Sequence, residues 1–323
     1  MSANPTVAKF GAASRETRQF VVAFAVLVAA IAAAPFVAYP PFVMQAMCFA
    51  LFACAFNLLI GYVGLLSFGH AMFLGAASYV CAHAAKVWGL DPVAAILAGV
   101  ASSAILGFVA GALSIRSQGI YFAMITVALS QMIDFFCVEA PFTHGEDGIQ
   151  GVPQGRALGL IDLGQPAVLY VFVAAVFLFG FLTVYRAVNS PFGEILKAIR
   201  ENEPRAISLG YRVQRYKLAA FVLSAALAGL AGATKAIVVQ DASLTDVGFA
   251  MSGEVVLMTL LGGMGTLYGP VVGAVVVVSM QNYLAQYGQW VTVIQGAVFV
   301  ACVLAFRRGI VGEIAKALKW TAI

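Results

Sequence analysis

Residues 167–186 read AVLYVFVAAVFLFGFLTVYR, and residues 187–211 continue as AVNSPFGEILKAIRENEPRAISLGY. The first stretch has the ~20 apolar residues that one helix needs to cross a bilayer core. The second crowds Glu194, Lys197, Arg200, Glu201, Glu203 and Arg205 into a short segment too polar to enter that core. A membrane span that opens directly into an aqueous loop therefore organises this part of the chain. Further apolar runs, bounded by charges or by Pro and Gly breaks, lie near 20–39, 42–60, 62–84, 92–114, 118–138, 218–238, 251–268, 270–287 and 290–306. At ~20 residues each, about ten spans take about 200 residues and leave about 120 for ends and loops. The sequence is read as an all-α integral membrane protein of about ten transmembrane helices. Its polytopic region is 20–306 with the long loop at 187–217, a polar N-terminal tail at 1–19 and a C-terminal tail at 307–323.

Composition excludes the other classes. Of 323 residues, 62% are apolar and 10% charged, against roughly 25% charged in an ordinary soluble domain. A soluble globule has too little interior to hide that much apolar surface, and disorder requires the opposite composition. Ala32-Ala33-Ala34 would suit a signal peptidase, but the run 20–39 exceeds the ~7–15 residues of a signal core, so it reads as a retained first helix.

If every run crosses, Arg116, the segment 187–217, Arg307, Arg308, Lys316 and Lys319 fall on the side of the N-terminus. Glu139, Glu146, Asp147, Asp162, Asp241 and Asp246 fall on the other, with Lys86, Arg156 and, near a helix end, Lys235. Basic residues concentrate on the cytoplasmic side of membrane proteins. Both termini are therefore expected in the cytoplasm. The net charge of +4 is not gathered into a patch for nucleic acid. Cys48, Cys54, Cys81, Cys137 and Cys302 lie in or beside apolar runs without a CxxC pair, as small buried hydrophobes do.

Small residues recur every four positions at Gly99, Ser103, Gly107 and Gly111, at Ala225, Gly229 and Ala233, and at Gly265, Gly269 and Gly273. That period puts each set on one helix face, where small side chains let backbones approach. Two glycine-rich segments also resemble each other: Gly61-Tyr-Val-Gly64-Leu-Leu-Ser-Phe68-Gly69 and Gly262-Gly-Met-Gly265-Thr-Leu-Tyr268-Gly269. One sits in each of two weakly similar halves. Glycine-interrupted helices in corresponding halves mark transporter cores. Re-entrant segments near 61–75 and 262–273 are the alternative to full crossings there.

Catalytic motifs are missing. The chain has no GxxxxGK[ST] phosphate loop, no HExxH and no GxSxG. Ser67 and His70 lie one helical turn apart without an acidic partner nearby, and the three histidines at 70, 83 and 144 are scattered. No cofactor or metal is expected on this chain. Ser67, His70, Gln131 and Glu254 are the candidate polar groups of a pathway or core, with Asp134 and Glu254 toward the outer ends of their spans. An ion-coupled secondary transporter relies on midplane carboxylates, and these are sparse here. A conducting subunit powered from elsewhere fits better.

The loop 187–217 is the sharpest clue. Ser190-Pro191 starts a helix, with a capping hydroxyl and a proline in the first turn. Glu194 sits near the positive helix end. Pro204 breaks this helix and opens a second, which Gly210 ends. Leu196 and Ile199 form a short apolar edge, expected to anchor a soluble partner, with Glu194, Lys197, Arg200, Glu201, Glu203 and Arg205 as the rim.

Six blocks carry a family resemblance: LLSFGHAMFLGAASY (65–79), RSQGIYFAMITVALSQM (116–132), THGEDGIQGVP (143–153), NSPFGEILKAIRENEPRAISLGY (189–211), KLAAFVLSAALAGLAGA (217–233) and SGEVVLMTLLGGMGTLYGPVVGA (252–274). From Gln45 to Phe306 the chain resembles LivM-type permease subunits of branched-chain amino acid ABC importers. The resemblance implies an ABC importer permease-like bundle in a bacterial inner membrane, paired with a second permease of LivH type. Two nucleotide-binding ATPase subunits, using ATP and Mg, and a periplasmic substrate-binding protein complete the machine. The loop helix is then the element that seats on an ATPase, and the pathway carries Leu, Ile or Val. The same kind of importer for urea, short amides or aromatic acids is the near alternative, and an ion-coupled secondary transporter the distant one. In one place the chain departs from the family, whose outer loop reads TGGxDG: His144 stands at a glycine position.

Overall fold

The computed structural model describes residues 5–157, 159, 161–284, 286, 288, 290–305 and 309–317. The helices are α1 (Pro5–Val37), α2 (Pro40–Asn57), α3 (Ala71–Lys86), α4 (Pro92–Ser114), α5 (Ile120–Glu139), α6 (Pro166–Val188), α7 (Pro191–Glu201), α8 (Glu203–Ser208), α9 (Val213–Val239), α10 (Phe249–Gly262), α11 (Gly269–Leu284), α12 (Trp290–Ala305) and α13 (Gly309–Ala317). Proline opens α2, α4, α6 and α7 and stands in the first turn of α8. The missing N–H is one the helix start could not use. Among the described residues, strand is limited to two-residue pairs: β1 (Ile149–Gln150) with β4 (Asp241–Ala242), and β2 (Arg156–Ala157) with β3 (Ile161–Asp162).

Among the described residues, five segments are long and apolar enough to cross a membrane: Pro40–Val63, α4, α5, α6 and α9. Val21–Val37, α10 and α11 are shorter apolar helices. The chain is thus an all-α membrane protein. Helix α1 runs unbroken from Pro5, so the segment expected as a polar tail is helical through most of its length. The expected continuous spans 62–84 and 251–268 are both interrupted, since α3 begins only at Ala71 and α10 stops at Gly262.

Helix α2 is the axis of the bundle. Every residue from Ala46 to Asn57 is buried, and α6, α9, α10 and α11 surround it. A helix apolar on all sides has to be enclosed. Helix α9 is the second hub, against α2, α3 and α4. The stripe of α4 meets the stripe of α9 directly. A Cβ on Gly107 would overlap Ala225, one on Gly229 would overlap Ser103, and one on Gly99 would lie 3.0 Å from the Ala233 Cβ. Hydroxyls stitch the close contacts: Ser103 Oγ donates to Phe73 O at 2.6 Å and Ser78 Oγ to Gly232 O at 2.9 Å. Cys48, Cys54, Cys81 and Cys137 are free and buried; the Cys302 side chain lies outside the described residues.

The third stripe needs correction. Gly269 and Gly273 belong to α11, but Gly265 lies in the preceding turn with φ +75°. It shares no helix face with them. Gly273 lies against α10 so closely that a Cβ there would overlap the Met258 carbonyl oxygen, and one on Gly262 would overlap Gly269 O.

Gly273→Ala is therefore expected to destabilise the fold by about 1–3 kcal/mol through overpacking against backbone. Gly253→Ala on α10 has open space and should leave stability within about 0.5 kcal/mol. Thermal unfolding of both variants in detergent decides, and equal midpoints would refute the α10–α11 close contact.

Candidate functional site: a junction of two helix breaks

Helix α2 does not end cleanly. It passes into a π-helical turn, Leu58–Val63, closed by Gly64 at φ +81°. The chain then runs without helix to His70 before α3 starts. Helix α10 ends similarly at Gly262, with Gly263 at φ +125° and Gly265 at φ +75° before α11 starts at Gly269. Positive φ favours glycine, because a Cβ would clash with the backbone. These are the two segments whose sequences resemble each other, and the fold brings them into contact.

Asn57 joins them. Its Nδ2 donates to Thr266 O at 2.8 Å, and Gly265 N donates to its Oδ1 at 2.9 Å. A Cβ on Gly61 would lie 2.8 Å from Gly265 N and overlap the Asn57 amide oxygen. Arg200 of α7 reaches in from the side and donates through Nη1 to Gly61 O. Its stem passes over Gly64, where a Cβ would stand 3.2 Å from Arg200 Cγ. At the same end, a Cβ on Gly309, which opens α13, would overlap Gly263. Asn57 escaped notice in the sequence. Its signal was a polar amide one turn before Gly61, after eleven successive residues, Ala46–Phe56, without a charged or amide side chain.

Helices α7 and α8 form as the capping residues dictate. Ser190 Oγ accepts from Gly193 N at 3.4 Å, and Asn202 Oδ1 accepts from Arg205 N at 3.0 Å. The apolar edge points inward, contrary to expectation. Leu196 is 0% exposed in the main core. Ile199, 3% exposed, packs with Ala206, Val213 and Tyr216. They hold the platform to its own bundle and present nothing to a partner. Arg200 leaves the rim as well, engaged with Gly61. Glu194 pairs with Lys197 at 2.8 Å, and Glu203 pairs with Lys217 at 2.8 Å. Glu201 and Arg205 are exposed. Exposed apolar side chains do occur here, but on and after α8: Ile207 at 57%, Leu209 at 69% and Tyr211.

The polar residues expected inside the spans separate into different environments. His70 is fully buried among Phe52, Phe56 and Phe73, with ring centroids 5.2–5.8 Å away. Its Nε2 faces Ser224 Oγ at 3.1 Å, and that hydroxyl donates to Ala55 O. The spent hydroxyl proton assigns the Nε2–H tautomer to His70. Ser67 is buried with its hydroxyl unpartnered and forms no pair with His70. Gln131 lies exposed on α5 rather than inside. Glu254 is half-buried on α10, bonded to Gln281 through one carboxylate oxygen while Oε2 has no partner. Among the described residues, no three His, Cys, Asp or Glu side chains converge as a metal site.

At the end opposite α7, Lys235 of α9 bonds the buried carboxylate of Asp246, with the Phe49 ring 5.8 Å below its ammonium. Burial pushes the Asp246 carboxyl above the ordinary range, and the Lys235 charge opposes that. The pair pins the segment before α10 onto the bundle, where Val247 fills the space beside Gly75. In the neighbouring loop His144 adopts φ +63°, a conformation natural to the glycine that the resemblance expects there.

The family described as "Branched-chain amino acid transport system / permease component" matches residues 41–304. The chain is 25% identical over 283 residues to the high-affinity branched-chain amino acid transport system permease protein LivM of Escherichia coli K12, covering 79% of this chain and 65% of that one. It is 26% identical over 278 residues to the protein of the same name from Salmonella typhimurium, with the same coverage. A probable branched-chain amino acid transport permease protein LivM of Methanocaldococcus jannaschii is 23% identical over 228 residues, 67% of this chain and 64% of that one. The chain thus spans somewhat less than two thirds of its relatives' length. No solved structure matches. The chain belongs to the branched-chain amino acid transport permease family.

Lys235→Met is expected to destabilise the protein by about 3–5 kcal/mol, because it strands the buried Asp246 carboxylate. Lys235→Met with Asp246→Leu should recover most of that loss. Detergent thermal unfolding of the single and double variants is the measurement, and an equal loss in both would show that the ion pair is not the cause.

Proposed function

We propose that this family member is a LivM-type permease subunit of a binding-protein-dependent ABC importer for Leu, Ile and Val. The observation that carries the reading is the placement of the α7–α8 platform directly on the junction of the two helix breaks. A transport core needs its interrupted helices linked to whatever supplies the energy, and this chain carries no phosphate loop. ATP and Mg are then used by two separate nucleotide-binding subunits. The branched-chain substrate is supported by the names of the relatives.

In this reading ten helices cross the bacterial inner membrane, namely α1–α6 and α9–α12, in two halves that each contain one break. The α7–α8 end and both termini are cytoplasmic, and the β1–β4 end faces the periplasmic binding protein. A second permease of LivH type covers the open side. Helix α5 suits that side, because it exposes Gln131 beside Met124, Met132 and Phe135, and a lone amide is poorly placed against lipid. Gln131, the half-buried Asp134 and Glu254 of α10 then line the pathway between the two permeases.

The ATPase groove receives Ile207, Leu209 and Tyr211 in place of the buried Leu196 and Ile199. Proteoliposomes holding the four membrane-complex subunits, supplied with binding protein and ATP, should accumulate leucine and not urea. Urea uptake without leucine uptake would overturn the substrate assignment. Leu209→Asp removes an apolar anchor worth roughly 1.5–3 kcal/mol when buried, so co-purification with the ATPase should weaken about tenfold or more. Ile199→Asp instead buries a carboxylate within the permease and should lower the permease's own thermal midpoint. Unchanged ATPase recovery in Leu209→Asp would move the docking surface elsewhere.

A further inference from the structure

We propose that Arg200 and Asn57 form a latch that ties α7 to both helix breaks, making Arg200 a positioning residue that converts motion of the cytoplasmic platform into motion of the pathway. The inference rests on the importer reading. Three features of the junction carry it.

The first is connectivity. Arg200 on α7 holds Gly61 O, Asn57 spans from the same turn to Gly265 N and Thr266 O, and a Cβ on Gly265 would stand 3.4 Å from Arg200 Nη1. Two side chains thus connect the platform to the first break and the first break to the second. Pulling on α7 through Arg200 loads both breaks at once.

The second is the state of the acceptor. Gly61 O belongs to the last turn of a helix, where carbonyls lack amide partners. Leu65 N, which would close a regular turn on Gly61, donates to Leu59 O instead. The guanidinium therefore replaces a missing backbone bond at the negative end of the α2 dipole, where a cation is favoured. Remove the arginine and the π-helical turn can relax toward ordinary α-helical bonding. π-helical turns inside α-helices are frequent at functional sites, and a turn with a second bonding pattern within reach is what a switching element requires.

The third is the space reserved for the latch. Gly64 and Gly265 have positive φ, which explains glycine by backbone alone. Gly61 has no positive φ, yet a Cβ on it would strike Asn57 and Gly265. Its smallness serves the contact itself. A purely structural tie between α7 and the bundle already exists in buried Leu196 and Ile199, so Arg200 is not needed to hold the platform in place.

The test uses the reconstituted importer with its partner permease, ATPases and binding protein, and measures leucine uptake and ATP hydrolysis together. Arg200→Met should assemble with the ATPases as the unmodified chain does, while uptake per ATP falls about tenfold, the loss expected for one charged hydrogen bond. Arg200→Gln, which keeps a donor without the charge, should lie between Met and the unmodified chain. Asn57→Ala combined with Arg200→Met should lower the ratio little further, because both act in one connection. An unchanged uptake-to-hydrolysis ratio in either arginine variant that assembles overturns the latch. So does failure of both to assemble, which would make Arg200 part of folding or docking. The unmodified complex separates the two conclusions: no leucine uptake there defeats the importer reading itself, whereas uptake with an unaltered ratio in the variants defeats only the latch.

Discussion

Backbone amides and carbonyls freed by a break in a helix have no water to turn to inside a bilayer, and this constraint organises the protein. Two helices are interrupted, after Val63 and after Gly262. Several of the groups released there find partners on distant side chains. One asparagine serves a carbonyl and an amide of the second break, and one arginine serves a carbonyl of the first. The breaks must therefore lie together, and α7 must lie beside them. The placement of α2 as the buried axis and of α10 and α11 against it follows from the same requirement.

Close packing supplies the rest. With no hydrophobic drive between helices in lipid, the bundle gains its stability from contact between small residues and from hydroxyls bonded to neighbouring carbonyls. The α3, α4 and α9 contacts show both: Gly99, Gly107 and Gly229 lie opposite alanine or serine across the α4–α9 seam, while Ser103 of α4 bonds to Phe73 of α3 and Ser78 of α3 bonds to Gly232 of α9. The ion pair of Lys235 and Asp246 is the exception, a buried charge pair that holds an end loop onto the bundle. The junction and this pair sit at opposite ends of the same core.

The division of labour within α7 and α8 follows from amphipathicity. One face carries Leu196 and Ile199 into the core, the opposite face carries charges, and Arg200 uses its length to do both, laying its stem over Gly64 and its head on Gly61. The apolar surface left for a partner lies on the second, shorter helix and just past it.

The sequence by itself determined the class and several of the local starts and stops. Composition demanded a membrane, prolines and capping residues placed the beginnings of α2, α4, α6, α7 and α8, and the four-residue period identified the α4 and α9 faces. It also singled out the two glycine-rich segments as related. What it left open were matters of partnership. Periodicity tells which residues share a face but not what that face meets, so the Leu196–Ile199 edge reads from sequence as an anchor for another protein, whereas the fold makes it core. Spacing alone put Gly265 on a helix with Gly269 and Gly273, whereas the turn before α11 removes it. Asn57 carried no motif, because its meaning depends on Gly265 and Thr266, more than two hundred positions away. Only the tertiary structure brings those backbones within hydrogen-bonding distance, and only that distance turns a buried amide and a loop arginine into a connection.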